Sequence, residues 1–116
     1  MRKLVGIATA LAAAGVLLTP AANATTQGVM ATCPSGAFCL QEPNGTIYSR
    51  NIWYAYGAHN LSGVIGFKYP VNNQTGGAGF TLCRDPNGGR CNNPSRVTGM
   101  YALYDFTPIN SIVLVP

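Results

Sequence analysis

The chain has 116 residues, with 7 basic and 3 acidic side chains, one histidine, 14 glycines, 8 prolines and 4 cysteines. This length holds one ordinary domain, and the few basic residues form no stripe that could neutralise a phosphate backbone, which sets nucleic acid aside as a partner. A single histidine, His59, and cysteines spaced C-x5-C and C-x7-C match neither the Cys/His spacing of zinc sites nor a thioredoxin-type motif, so no metal or other cofactor is expected.

In chain order, a basic start (Arg2, Lys3) precedes the apolar run LVGIATALAAAGVLL and the small-x-small triplet Ala22-Asn23-Ala24. This pattern predicts a secretory signal peptide over residues 1–24, cleaved after Ala24. The apolar run is about 15 residues, shorter than the ~20 of a membrane span, so no membrane attachment is expected after cleavage. The remaining domain, 25–116, has 116 − 24 = 92 residues. Its charge is 5 − 3 = +2, from Arg50, Lys68, Arg84, Arg90 and Arg96 against Glu42, Asp85 and Asp105.

All four cysteines fall in this domain. An even number in a short exported chain predicts two disulfides. Three connectivities are open. The turn formers inside each segment (Pro34-Ser35-Gly36 and Pro86-Asn87-Gly88-Gly89) favour the local pairs Cys33–Cys39 and Cys83–Cys91. In the simple closure model, a loop of about nine residues removes roughly 2–3 kcal/mol of unfolded-chain entropy.

No segment of the domain sustains a helical period. Short runs rich in β-branched and aromatic residues alternate with glycine, proline and asparagine: AFCLQE, TIYSRNIWYAY, GVIGFKYP, GFTLCR, GMYALYDF and NSIVLVP. This spacing predicts an all-β sandwich or barrel. Alternation places Phe38 with Leu40 and Phe80 with Leu82 on inward faces, and in MYALYDF it separates Met100, Ala102, Tyr104 and Phe106 from Tyr101, Leu103 and Asp105. The polar, glycine-rich VNNQTGGAG, 71–79, reads as the connection between two halves. Those halves are similar. GAFCLQE-PNG aligns with AGFTLCRDPNG at an offset of 42 residues (Phe38 to Phe80, Leu40 to Leu82). A repeat of about this length fits a Greek-key unit, and two units make a sandwich.

Catalysis has little support. A general acid/base pair needs two facing carboxylates, and Glu42, Asp85 and Asp105 are far apart in sequence. His59 with Ser62 lacks a glycine-framed nucleophile and reads as a surface or hydrogen-bonded histidine. The segment NIWYAYG, 51–57, gathers Trp53, Tyr54 and Tyr56. As a strand it would point Tyr54 and Tyr56 one way and Trp53 the other, one face core and one a cross-strand aromatic surface. Its functional alternative is a platform for cell-wall carbohydrate, or for assembly of a structural module. The Asn-x-Ser/Thr triplets at Asn44, Asn60 and Asn73 read as turn-forming asparagines.

The leader followed by CPSGAFCL, the continuation LQE-PN, the second local cysteine pair and the closing strand INSIVLV resemble the secreted βγ-crystallin-like proteins of actinobacteria, and within them the metalloproteinase-inhibitor family. The resemblance covers most of 33–116. It implies two Greek-key motifs in a crystallin-like sandwich, and binding of a secreted peptidase through the loop bounded by Cys83 and Cys91. In that loop Arg84 would be the principal contact, with Asp85 and Arg90 flanking it. A disulfide across the base would prepare the loop's bound shape and keep its ends together after any cut. The position corresponding to the residue after the scissile bond is Arg84, where thermolysin-class peptidases prefer an apolar side chain, so the resemblance leaves the peptidase class open.

Overall fold

The computed structural model describes residues 29, 30 and 32–116. The predicted signal peptide, its cleavage point and the start of the domain at 25 lie outside the described residues. Among those described there is no α-helix, and no helix long and apolar enough to cross a membrane. Over these residues the chain is all-β, with two main sheets, a small two-stranded sheet and two disulfides.

Among the described residues eleven strands run in the order β1 (Val29–Met30), β2 (Ala37–Gln41), β3 (Ile47–Tyr48), β4 (Ile52–Trp53), β5 (Gly57–Asn60), β6 (Phe67–Asn73), β7 (Gly79–Asp85), β8 (Gly89–Cys91), β9 (Gly99–Met100), β10 (Tyr104–Asp105) and β11 (Ser111–Val115). The first sheet has the order β9-β6-β2-β4, with β10 also paired to β6; the second is β5-β11-β7-β8; β1 and β3 form the two-stranded sheet. All strand pairs are antiparallel.

The two sheets are built alike. In each, a first strand (β2 or β7) is flanked by a later strand of its own half (β4 or β8) and by the last strand of that half (β6 or β11). The outer place beside that last strand is taken by a strand from the opposite half: β5 joins the second sheet, while β9 and β10 join the first. The 42-residue offset read from the sequence is a property of the register. Phe38 pairs with Asn72 and Phe80 with Leu114, while Gly57 pairs with Leu114 and Gly99 with Asn72. Gly57 and Gly99 both enter their strands at positive φ, 103° and 125°, a conformation that a side chain would strain.

Inward alternation from both sheets produces one core of Phe38, Leu40, Val64, Phe80, Leu82, Phe106, Ile109, Ile112 and Leu114. Its centre is the Phe38–Phe80 pair, with ring centroids 4.5 Å apart, where the two halves meet. The outer face of β2 is buried as well: Ala37 and Cys39 pack with Cys33 and Ile47 in a second small cluster that holds the Cys33–Cys39 bridge. This double burial explains why AFCL is continuously apolar. Both disulfides join the local pairs, with Cys83 directly opposite Cys91 across β7 and β8.

Several expected elements are shorter or shifted. TIYSRNIWYAY is broken by a 3-10 turn at Ser49–Asn51 and by the bend after Trp53, so 51–57 is not one strand. GMYALYDF is likewise interrupted at 101–103: Met100 is exposed, whereas Tyr101 and Tyr104 pack on the core and Phe106 lies within it. GVIGFKYP contributes a strand only from Phe67. That strand continues to Asn73, so the connection between the halves is 74–78 rather than 71–79. Polarity hid the end of β6. Asn72, fully buried, occupies the position that Leu114 holds in the other half, and its amide donates to the carbonyls of Ala78 and Val97 and accepts from the Gln74 backbone and side chain. A buried amide with such partners replaces apolar packing at low cost.

The shared core predicts matched penalties: Phe38→Ala and Phe80→Ala should each cost about 3–5 kcal/mol in urea unfolding. A loss confined to one of the two would mean that the halves do not rest on a common core.

Candidate functional site

The segment 83–91 is a hairpin: the end of β7, a 3-10 turn at Pro86–Gly88, and β8. Pro86 sets the first turn residue, and Asn87 takes the left-handed conformation (φ 59°, ψ 30°) that asparagine tolerates better than most residues. Side chains from two other strands hold the tip. The Asn87 N–H donates to Asn60 Oδ1 at 2.7 Å, and Asn60 Nδ2 donates back to Asn87 Oδ1 at 2.9 Å. Ser111 Oγ accepts from the Gly88 N–H at 2.9 Å and donates to the Asp85 carbonyl at 2.6 Å. Asn110 donates its backbone N–H to the Cys83 carbonyl at 2.9 Å and its side-chain amide to the Arg84 carbonyl at 2.7 Å. The Cys83–Cys91 bridge closes the base.

Within the hairpin Asp85 and Arg90 are joined to each other. Arg90 Nε donates to Asp85 Oδ2 at 2.9 Å and Nη2 to Oδ1 at 2.6 Å, a bidentate fork. Arg90 takes a positive φ of 51°, a conformation costing roughly 1–3 kcal/mol for a residue with a side chain, held here by the carboxylate and the adjacent disulfide. Arg84 differs. It is exposed, as Arg90 is, but its guanidinium takes part in neither of the two ion pairs among the described residues, Arg90–Asp85 and Lys68–Glu42. Of the residues assigned to the loop from sequence, Arg84 is therefore the basic side chain outside any ion pair, while Arg90 and Asp85 are paired with each other.

The aromatic segment does not form one face. Tyr54 and Tyr56 are 58% and 55% exposed. Trp53 is half-buried and stacks on Phe38 with centroids 6.2 Å apart, on the core side. His59 packs against Trp53, and its ring Nε2 lies 2.6 Å from the Ala55 carbonyl, which it satisfies as a donor. Among the described residues no group of three His, Cys, Asp or Glu side chains is placed to hold a metal ion. Sequence reasoning missed the clamping residues Asn60, Asn110 and Ser111, because their partners are 23 to 27 residues away in the chain.

Compared with known proteins, the chain matches no family model, no curated protein and no solved structure. The site is therefore read from its own geometry.

The hydrogen bonds from Arg90 hold the Asp85 carboxyl below its ordinary value of 3.8, even though partial desolvation acts the other way. A carboxylate whose folded value is lowered stabilises the fold fully above the ordinary value, and that contribution disappears as pH falls through the lowered one. Thermal midpoints of wild type and Asp85→Asn should therefore differ at pH 7 and converge in acid below pH 3.8. A difference that stays constant with pH would show that the ion pair does not hold the hairpin.

Proposed function

We propose that this chain is a secreted βγ-crystallin-like domain of two Greek-key motifs that inhibits a peptidase by tight binding through hairpin 83–91, with Arg84 as the anchor. The strand order supports the first part: in each half the last strand returns to lie beside the first, and the strand or strands just before it cross to the opposite sheet. Two disulfides are consistent with an oxidising, extracellular location.

The inhibitory part rests on a hairpin whose backbone is fixed while one basic side chain is free. A loop already in its bound shape loses little entropy on docking, which is where a rigid binder gains affinity. The clamps also govern what a peptidase could do to it. The carbonyls of Cys83 and Arg84, next to the peptide bonds on either side of Arg84, both accept hydrogen bonds from Asn110. To be cut, either carbonyl would have to leave Asn110 and enter an oxyanion hole. The hairpin is thus suited to occupying a cleft without becoming a substrate. A guanidinium anchor fits a specificity pocket containing a carboxylate, where it forms a charge-assisted, bidentate pair.

Titration of trypsin-like, subtilisin-like and thermolysin-like peptidases with the oxidised protein tests this reading. Stoichiometric inhibition is expected for a member with an acidic pocket, with 83–91 remaining intact by mass. Arg84→Ala should weaken that inhibition at least tenfold, about 1.4 kcal/mol, and leave the thermal midpoint unchanged. Absence of inhibition across the panel, or equal inhibition by the variant, would remove the hairpin from this role.

A further inference from the structure

The pseudo-symmetry of the two halves exposes one place where they are filled differently. Trp53 pairs with Phe38, and its counterpart Ser95, 42 residues later, forms the matching antiparallel bridge with Phe80. Each position lines a groove between the two sheets. The groove of the first half, about 140 Å³, includes Arg50, Asn51, Trp53, Asn60 and Ser62. That of the second, about 230 Å³, includes the equivalent residues Asn92, Asn93, Ser95, Ala102 and Tyr104.

In the first half the chain's own indole enters this space. Trp53 stacks on Phe38 and is covered by His59. In the second half Tyr101 stands at the position of His59 and touches Phe80 edge-on, its centroid 4.9 Å away, with its hydroxyl donating to the Val97 carbonyl. Ser95 supplies no ring, so Phe80 has Tyr101 against it edge-on and no stacked partner of the kind that Trp53 gives Phe38. The groove that remains has Phe80, Leu82, Pro70 and Tyr101 as apolar lining and Ser95, Asn92 and Asn93 as polar groups.

We infer that this groove is a binding site for one uncharged, planar aromatic ring system of indole size. A closed apolar cavity of about 150 Å³ takes up benzene, and this more open one, at about 230 Å³, has room for a bicyclic ring. The pseudo-equivalent groove supplies the template, since an indole on the matching phenylalanine is how the fold fills that space. No Asp, Glu, Lys, Arg or His lines it, so a charged ligand would be desolvated without a partner. The amide and hydroxyl groups suit a single polar tip such as an indole N–H. The site is independent of Arg84 and of the peptidase reading.

The test is a titration of the oxidised, isotopically labelled protein with free indole, and in parallel with N-acetyltryptophanamide, followed by amide chemical shifts. Saturable shifts centred on Phe80, Leu82, Ser95, Tyr101 and Ala102 are expected. A response to indole alone identifies a free small molecule as the occupant, and a response to both identifies a ring that a partner's side chain can also deliver. Ser95→Trp, which supplies the missing ring, should weaken indole binding at least tenfold and raise the thermal midpoint. Ala102→Phe, at an exposed position on the rim, should block entry without entering the core. The inference fails if neither probe shifts these residues, or if both variants fold and bind indole as wild type does.

Discussion

The structure depends on the exchange, between its halves, of the strands that precede each half's last strand. Neither sheet can be completed from one half: β5 must leave the first to flank β11, and β9 and β10 must leave the second to flank β6. The Phe38–Phe80 contact lies where the exchanging halves meet, and Leu40, Leu82, Ile112 and Leu114 surround it. A half alone would leave its inner face exposed, so the core forms only when both halves are in place. The candidate site inherits this dependence. Asn60, which holds the tip of hairpin 83–91, belongs to the exchanged strand β5, and Asn110 and Ser111 stand at the start of the strand beside it. The shape of a loop in the second half is thus set by a strand from the first.

Symmetry governs the register and the Phe38–Phe80 centre, and departures from it lie away from that centre. Leu114 packs in the core where Asn72 organises the link between the halves. Trp53 narrows a groove whose counterpart beside Ser95 is wider. Each disulfide lies away from the Phe38–Phe80 centre, one in the outer cluster of β2 and the other across β7 and β8. Substitution at the shared centre must preserve two inner faces at once, whereas an edge position of one half can change without its counterpart. Hydrogen bonding and ligand chemistry are therefore free to differ at the edges while the register stays at 42 residues.

Much of this architecture was legible in the sequence. Strand-forming runs between glycine and proline, the inward pairs Phe38/Leu40 and Phe80/Leu82, and the turn formers inside each cysteine pair all correspond to structure. Three features were not. Polar composition made Val71, Asn72 and Asn73 resemble a linker, because a buried asparagine is betrayed only by the partners that satisfy it. Alternation was extended through Tyr54–Tyr56 and Tyr101–Leu103, where the chain bends out of the ladder; periodicity records which residues could alternate, not where pairing stops. For the hairpin, the sequence offered two arginines and an aspartate but no means of telling which would be joined. Antiparallel folding brings Arg90 back onto Asp85 and leaves Arg84 outside that pair.

That allocation bears on how such a hairpin differs from an ordinary peptidase substrate. A substrate loop is flexible enough to enter a cleft in extended form and has backbone carbonyls to offer to it. Here the carbonyls of Cys83, Arg84 and Asp85 already accept hydrogen bonds from Asn110 and Ser111, and the tip is joined to Asn60. The positive φ at Arg90 is sustained between a bidentate carboxylate and a disulfide, so local strain is confined by two constraints that do not involve the ladder. Removing a docked peptide bond from its partner would cost a hydrogen bond worth about 1 kcal/mol net, in addition to the displacement of the constrained backbone around it. Reading the hairpin as a rigid anchor therefore requires no unusual chemistry from the peptidase, only that holding Arg84 in its pocket costs less than pulling the backbone from Asn110.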